Sequence, residues 1–438
     1  MDTDDNFTTS EDDNTDIDDL EFDEYDNVDV LNQFTIDIDK INEKGQYYIL
    51  DYNPKSNVLE TSIPLEFTKE YQSLYNVSDS IRIKMDFNYN YLKGTIKPVI
   101  QLSGGGSLTF QIGNTINYLI DDLYIIYSDN KQNFIEVILD RIKERIYNPG
   151  TYCVNCDQEL PIIGMKPTTC NKQLCYFQYT ELGLQSNLLE DIRRDTITFD
   201  LLVNLTYATT INNRADKIMN PFPERFDEYP DKYNYIKTLI LAVGSLQELC
   251  ETQFKTLTEF RDYLNTLANQ GDIYYLLQWI YYSNRTHLIY QTEKVILDKI
   301  DIKLPFYKHC FQILSNTPEK EAQFQELSQK HENHYGFHGS SLENWHSILR
   351  LSLKNYSNTD KMTCGAAYGP GIYLADDYNT SLSYTKSGQI TGNSILPKQI
   401  SLMLLCQIVN DGTDGYTKPC HYVIKDEKLV SMKYLFIL

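Results

Sequence analysis

The chain has 438 residues, enough for about two to four domains that each bury a core. Its net charge is −22, but residues 1–39 hold 13 Asp and 3 Glu with no Lys or Arg, so the remainder carries only −6. No basic face is left for phosphate-driven binding of nucleic acid, and no apolar run reaches the roughly 18 residues that a bilayer span needs. Nine cysteines, mostly scattered, in a chain without an export signal point to a reducing compartment. The expectation is a soluble intracellular protein, cytoplasmic rather than nuclear.

Residues 1–39, "MDTDDNFTTSEDDNTDIDDLEFDEYDN" and the stretch after it, have too little apolar surface to fold alone and are expected to form a disordered acidic tail. From 40 to 148 the pattern first alternates, in "QYYILDY", "ETSIPLEF", "SIRIKMDFNYNYL" and "TIKPVIQL", which predicts strands. It then lengthens to three- and four-residue spacing in "NTINYLIDDLYIIYSDNKQNFIEVILDRIKERI", which predicts one or two helices on that sheet. The glycine run in "LSGGGSLTF" lacks the Lys-Ser/Thr of a phosphate-binding loop and reads as a turn. A strand meander followed by helices over 40–148 resembles the ubiquitin-conjugating-enzyme or RWD type of α+β module. That resemblance implies a binding module with ubiquitin-system proteins as candidate partners. Residues 1–152 contain no cysteine, so a ubiquitin thioester there is excluded.

The segment 149–180 contains Cys153-x2-Cys156, thirteen residues, then Cys170-x4-Cys175. Two short-spaced thiol pairs joined by a loop of this length can offer four sulfurs to one ion, which predicts a structural Zn2+ site. Four thiolates leave no open position for water, so a catalytic zinc is not expected, and the site should clamp the front module to the region C-terminal to it. Residues 181–284 read as mainly helical, broken by the three prolines of "MNPFPERFDEYPDKY". Residues 285–438 read as sheet-rich, from short apolar runs such as "THLIYQ", "FYKHCFQILS", "ISLMLLCQIV" and "KYLFIL" separated by turns. The whole is an α+β multidomain chain.

The chemistry is concentrated in four stretches: "FHGSSLENWHSIL", "GPGIYLADD", "TSLSY" and "CHYVI". Together they resemble the catalytic domain of the poly(ADP-ribose) polymerase superfamily, the diphtheria-toxin-like ADP-ribosyltransferases. The matching positions are His338-Gly339-Ser340, Gly369-Pro370-Gly371-Ile372-Tyr373-Leu374-Ala375-Asp376, Ser381 with Tyr384, and His421-Tyr422-Val423-Ile424. "CNKQLCYFQYTELG" and "LLQWIYYSNRTHL" extend the likeness to the mono-ADP-ribosylating branch with a cysteine-rich region upstream, over roughly 150–438.

The resemblance implies a split β-sandwich for 285–438 and NAD+ as co-substrate rather than redox cofactor. It implies that His338 bonds a ribose hydroxyl on the adenosine side, while Gly339 holds the nicotinamide carboxamide through its backbone, beside Ser340. Ser381 would add a hydroxyl to that carboxamide. Tyr384 and Tyr373 would form the two aromatic walls. His421 falls where polymerising members carry glutamate. A neutral imidazole accepts one hydrogen bond but brings no fixed negative charge, so chain growth is not expected. Three functions stay open at this point: a protein mono-ADP-ribosyltransferase with His338, Tyr373 and His421 at the reacting centre, acting on protein acceptors; a pseudoenzyme that holds NAD or ADP-ribose; or a zinc-containing interaction scaffold. Ser352 stands where relatives often have glycine, and "TKSGQITGNSILPKQ" is a short connection. The sequence sets no oligomeric state.

Overall fold

The computed structural model describes residues 35–44, 50–53, 55–56, 58–86, 100–103, 107–121, 134–161, 163–170, 172–181, 188–220, 222–268, 271–293, 304–357, 359, 368–412, 416–418 and 421–438. Of the acidic tail expected over 1–39, residues 1–34 lie outside this set, as does the glycine run at 104–106. Residues 35–39 correct the boundary, because they open helix α1 (35–44), whose Ile38 and Ile41 are buried three positions apart on one stripe.

The front module is an antiparallel sheet in the order β1 (Leu50–Asn53), β2 (Val58–Pro64), β3 (Ser80–Asp86), β4 (Ile100–Ser103), with helix α2 (Lys69–Tyr75) between β2 and β3. In β3 the buried Ile81, Ile83 and Met85 alternate with exposed Arg82 and Lys84, so one face of the sheet is apolar. Helices α3 (Ser107–Asp121) and α4 (Phe134–Tyr147) cover that face with Ile112, Ile116, Ile138 and Ile142, each at most 1% exposed. Helix α2 ties this module to the rest. The Tyr71 hydroxyl donates to the Asn316 carbonyl at 2.6 Å, and the Tyr75 hydroxyl donates to the Met165 carbonyl at 3.0 Å.

After helix α5 (Gln173–Glu181) come α6 (Leu188–Arg194), α7 (Thr196–Thr210), α8 (Ala215–Ile218), α9 (Lys232–Val243), α10 (Leu246–Glu251), α11 (Leu257–Leu267) and α12 (Asp272–Tyr282). The break between α6 and α7 is set by Asp195, whose carboxylate accepts from the Thr198 N–H and caps the second helix. Helix α7 is buried along nearly its whole length, polar Asp200, Asn204, Thr206 and Thr209 included.

The C-terminal region holds a five-stranded antiparallel sheet in the order β5 (His287–Gln291), β6 (His309–Leu314), β14 (Val430–Ile437), β11 (Leu402–Asn410), β7 (Glu332–Gly339). A second sheet runs β12 (Tyr416–Lys418), β13 (His421–Ile424), β8 (Ile372–Leu374), and a two-stranded ladder pairs β9 (Gly388–Gln389) with β10 (Gln399–Ile400). Helices α13 (Pro318–Lys330), α14 (Trp345–Leu351) and α15 (Tyr378–Leu382) complete it. One apolar core runs from Leu188 through α7 and α12 into β11 and β14, so the helical region and the C-terminal sheets fold against each other. Among the described residues no helix is long and apolar enough to cross a membrane.

Asp200 is 3% exposed in this shared core and pairs with the Ser394 hydroxyl. Burial pushes its carboxyl up to about 6, against hydrogen bonds from Ser394, Ile395, Leu396 and Asn204 that favour the ionised form. The folded-state value lies above the unfolded value of about 3.9, so the stabilising form is the protonated one. Its contribution is complete below about pH 4 and is lost as pH rises through 6. Between pH 4 and pH 7.5 the stability difference between Asp200→Asn and the parent should shift towards the Asn variant by about 2–3 kcal/mol in urea denaturation. A difference that does not change with pH would contradict this.

Candidate active site and cysteine cluster

Strand β7 is the backbone of the site. It pairs with β11 from Glu332–Asn410 to Gly339–Met403, which places its last residues at the free edge of the five-stranded sheet. There Phe337 exchanges two backbone hydrogen bonds with Ala375, at 2.6 and 3.0 Å, just past the end of β8. This backbone bridge joins the two sheets.

His338 is the next residue at this junction. Its Nδ1 lies 2.9 Å from the Tyr373 carbonyl, which can only accept, so Nδ1 carries the proton and Nε2 keeps its lone pair. Burial holds the imidazole below the usual histidine range, opposed by that carbonyl bond, and the ring is neutral at pH 7. Trp345, fully buried, stands edge-on to it with ring centroids 6.3 Å apart and donates its indole N–H to the Ser340 carbonyl at 3.3 Å. The Ser340 hydroxyl accepts from the Asn344 amide at 3.0 Å, which turns it towards the start of α14.

Gly339 sits against the turn after α15. A Cβ at this position would lie 2.1 Å from the Ser381 carbonyl oxygen, so only glycine lets β7 and α15 close on each other. Ser381 is 4% exposed and its hydroxyl donates to the Phe337 carbonyl at 2.8 Å, leaving the oxygen's lone pairs. Asp377 caps α15 by accepting from the Thr380 N–H at 3.1 Å. Tyr384 comes next, with its N–H on the Ser381 carbonyl at 3.1 Å and its side chain 51% exposed.

Tyr373 lies opposite Val423 in the β8–β13 pairing, and His421 is two residues before Val423. Tyr373 and His421 therefore share one face of the small sheet. The Tyr373 hydroxyl donates to the Gly369 carbonyl at 2.7 Å and accepts from the Tyr368 N–H at 3.0 Å, while the Tyr368 ring stands 5.6 Å from His421. Of the residues singled out for the site, His338, Gly339 and Ser381 come together at this junction, His338 bonds the Tyr373 carbonyl, Ser340 and Tyr384 stand beside them in the chain, and His421 shares a face of the small sheet with Tyr373. Tyr368, Trp345 and Asp377 were not anticipated. Asp377 alone left a signal, as a capping residue three positions before Thr380 in "DDYNTS". Ser352, at the head of the loop leading towards β8, has φ 68° and ψ 170°, a region nearly reserved for glycine that costs on the order of 1–3 kcal/mol.

The four cysteines converge as their spacing predicts. The sulfurs of Cys153, Cys156, Cys170 and Cys175 all lie within 4.8 Å of one another, with Cys156 and Cys170 at 3.7 Å. Cys153 bridges to Thr168, and the Val154 N–H donates to the Thr168 carbonyl at 2.9 Å, which brings the two pairs together. One face of α3 grips the first knuckle through its carbonyls: Gln111 donates to Tyr152, Asn114 to Val154 and Tyr118 to Asn155, at 2.7 to 3.0 Å. Asp157, with φ 54°, receives a bidentate pair from buried Arg145 of α4 at 2.7 and 2.6 Å and a third bond from Thr115 at 2.9 Å. The cluster is therefore fastened to the front module by that module's two long helices.

Residues 308–414 match the family described as the poly(ADP-ribose) polymerase catalytic domain. The mouse and human proteins named protein mono-ADP-ribosyltransferase PARP8 are each 30% identical to this chain over 269 residues, which is 58% of this chain and 30% of theirs. The mouse protein mono-ADP-ribosyltransferase PARP16 is 23% identical over 288 residues, 59% of this chain and 84% of its own length. The chain thus spans less than a third of the length of the first two relatives.

The contact between Gly339 and Ser381 yields a test. Gly339→Ala places a methyl group on a backbone oxygen that cannot rotate away, and should cost about 1–3 kcal/mol in urea denaturation. Undiminished stability would show that the two segments do not close as described.

Proposed function

We propose that the chain is a protein mono-ADP-ribosyltransferase that takes NAD+ as co-substrate. The observation that carries the reading is the meeting of a neutral His338, the Gly339 backbone and the Ser381 hydroxyl at one junction, with Tyr373 bonded to His338 through its carbonyl and Tyr384 three residues after Ser381. The nicotinamide ring would lie between Tyr373 and Tyr384, with its carboxamide on Gly339 and on the Ser381 oxygen. His338 Nε2, an acceptor, would take a ribose hydroxyl of the adenosine half. The bond between ribose and nicotinamide then breaks, with its electron pair leaving on nicotinamide, and an acceptor side chain adds to the sugar and gives up its proton. The transition state carries positive charge on the ribose, so rigid gripping of the leaving group is the main contribution of these residues. His421 faces the same side of the sheet as Tyr373 and brings no carboxylate, which supports transfer of single units.

The same substitution favours a second reading, a site that binds NAD or ADP-ribose without transfer. Mass spectrometry of protein incubated with isotopically labelled NAD separates the two. Transfer predicts increments of one ADP-ribose per modified side chain, and His421→Glu should yield chains at those sites. Bound but unattached label would establish the second reading, and chains made by the parent protein would contradict the first.

The four cysteines suit a structural Zn2+. Tetrahedral bonds of about 2.3 Å set sulfurs roughly 3.8 Å apart, close to the Cys156–Cys170 separation of 3.7 Å. Elemental analysis should find one zinc per chain and much less in Cys156→Ser, with a lowered melting temperature; full metal content in that variant would remove Cys156 as a ligand.

The meander of four strands with α3 and α4 behind it supports reading the front module as a ubiquitin-conjugating-enzyme or RWD-like binding module, and its lack of cysteine supports binding rather than catalysis. The cysteines scattered outside the cluster support an intracellular location.

A further inference from the structure

The two segments that leave the site both run onto α7. The first, after Gly339, places the Glu343 carbonyl on the Thr209 hydroxyl at 3.0 Å and His346 Nδ1 on the Thr206 hydroxyl at 3.1 Å. The second, after Tyr384, reaches Asn204 and Asp200. Asn204 is fully buried, and its amide Nδ2 donates to the Asp200 carbonyl one turn back at 2.8 Å. That bond fixes which way the amide points. Its Oδ1 then accepts both from the Thr391 N–H and from the Thr391 hydroxyl, each at 2.9 Å. Three residues on, Ser394 Oγ meets the Asp200 carboxyl and accepts from the Leu396 N–H at 3.1 Å.

Between Tyr384 and Thr391 the chain has little freedom. The Leu342 N–H donates to the Lys386 carbonyl at 3.2 Å, and Gly388 packs against the Leu342 side chain. The turns at Tyr384 and Thr385 are held locally, by their backbone N–H groups on the Ser381 and Leu382 carbonyls and by the Thr385 hydroxyl, which donates to the Leu382 carbonyl at 2.8 Å. These bonds fix the backbone but not the half-exposed Tyr384 ring, whose position also depends on how the segment C-terminal to it is held. That segment is anchored on α7.

We infer that Asn204 and Asp200 are positioning residues which hold the 385–396 segment, and with it Tyr384, at the nicotinamide end of the site. This inference rests on the NAD reading above. Its chemistry is one-sided: the latch acts on the wall beside Ser381 and Tyr384, while His338 is fixed independently by Tyr373 and Trp345. Loosening the latch should weaken nicotinamide and leave ADP-ribose, which lacks that ring, almost untouched.

The test is calorimetric titration of nicotinamide and of ADP-ribose into the parent chain, Asn204→Ala, Thr391→Val and Thr391→Ser. Asn204→Ala should raise the nicotinamide dissociation constant about tenfold and Thr391→Val about threefold, with ADP-ribose within twofold of the parent and Thr391→Ser restoring parent affinity. Thr391→Val keeps the backbone bond to Asn204, so it remains informative if Asn204→Ala fails to fold. Hydrogen exchange of residues 385–396 should quicken in the weakened variants. Parent-like nicotinamide affinity in Thr391→Val, or equal weakening of both ligands, overturns the latch while leaving the NAD site standing. A parent chain that binds neither ligand overturns the NAD reading and the latch together.

Discussion

The Phe337 peptide is the constraint on which the site depends. Its N–H and carbonyl both pair with Ala375, and the same carbonyl also accepts the Ser381 hydroxyl. One residue thus joins the five-stranded sheet, the end of β8 and helix α15. Two placements follow directly from that joint: His338 next along β7 reaches back to Tyr373, and Gly339 after it must lack a side chain because Ser381 is already there. A buried carbonyl shared between two donors is rigid, since moving either partner leaves a polar group unsatisfied at about 1–3 kcal/mol. Rigid gripping is also what breaking a ribose–nicotinamide bond requires of a protein.

Around this joint the other parts of the chain are fastened by polar contacts within apolar cores. Helix α7 contributes Asp200, Asn204, Thr206 and Thr209 to two segments of the catalytic region while its apolar residues enter the common core. The cysteine segment is held to α3 and α4 by Asp157, Arg145 and the row Gln111, Asn114, Tyr118. Helix α2 carries Tyr71 and Tyr75 to the β6–α13 connection and to Met165. Such contacts add specificity more than energy, because each exchanges bonds to water for bonds within the protein.

Much of this was legible in the sequence, for identifiable reasons. Strand β3 announces itself through Ile81, Ile83 and Met85 at every second position, and the thiol pairs through spacing that suits a shared metal ligand set. The motif residues of the site were found through the family resemblance of "FHGSS", "GPGIYLADD", "TSLSY" and "CHYVI". Helix α13 was missed. "PEKEAQFQELSQK" buries only Pro318 and Phe324, so it has no apolar stripe, and its signs were a proline at the start and two glutamates in the first turn. The start of α1 was hidden inside an acidic run whose composition outweighed Ile38 and Ile41. The merging of the helical region with the C-terminal sheets was not legible either, because hydrophobic periodicity shows that a face is buried and not which face covers it. Ser352 is the reverse case: a serine where glycine is expected, kept in a glycine conformation by the structure on either side.

The central claim is that the junction of the two sheets is an NAD site built on His338. Calorimetric titration with NAD+ tests it most directly. The account predicts saturable one-to-one binding by the parent chain and at least a tenfold loss in His338→Ala, whose missing imidazole leaves the Tyr373 carbonyl and the ribose without their partner. Equal affinity in the two proteins, or no binding by the parent, would contradict it.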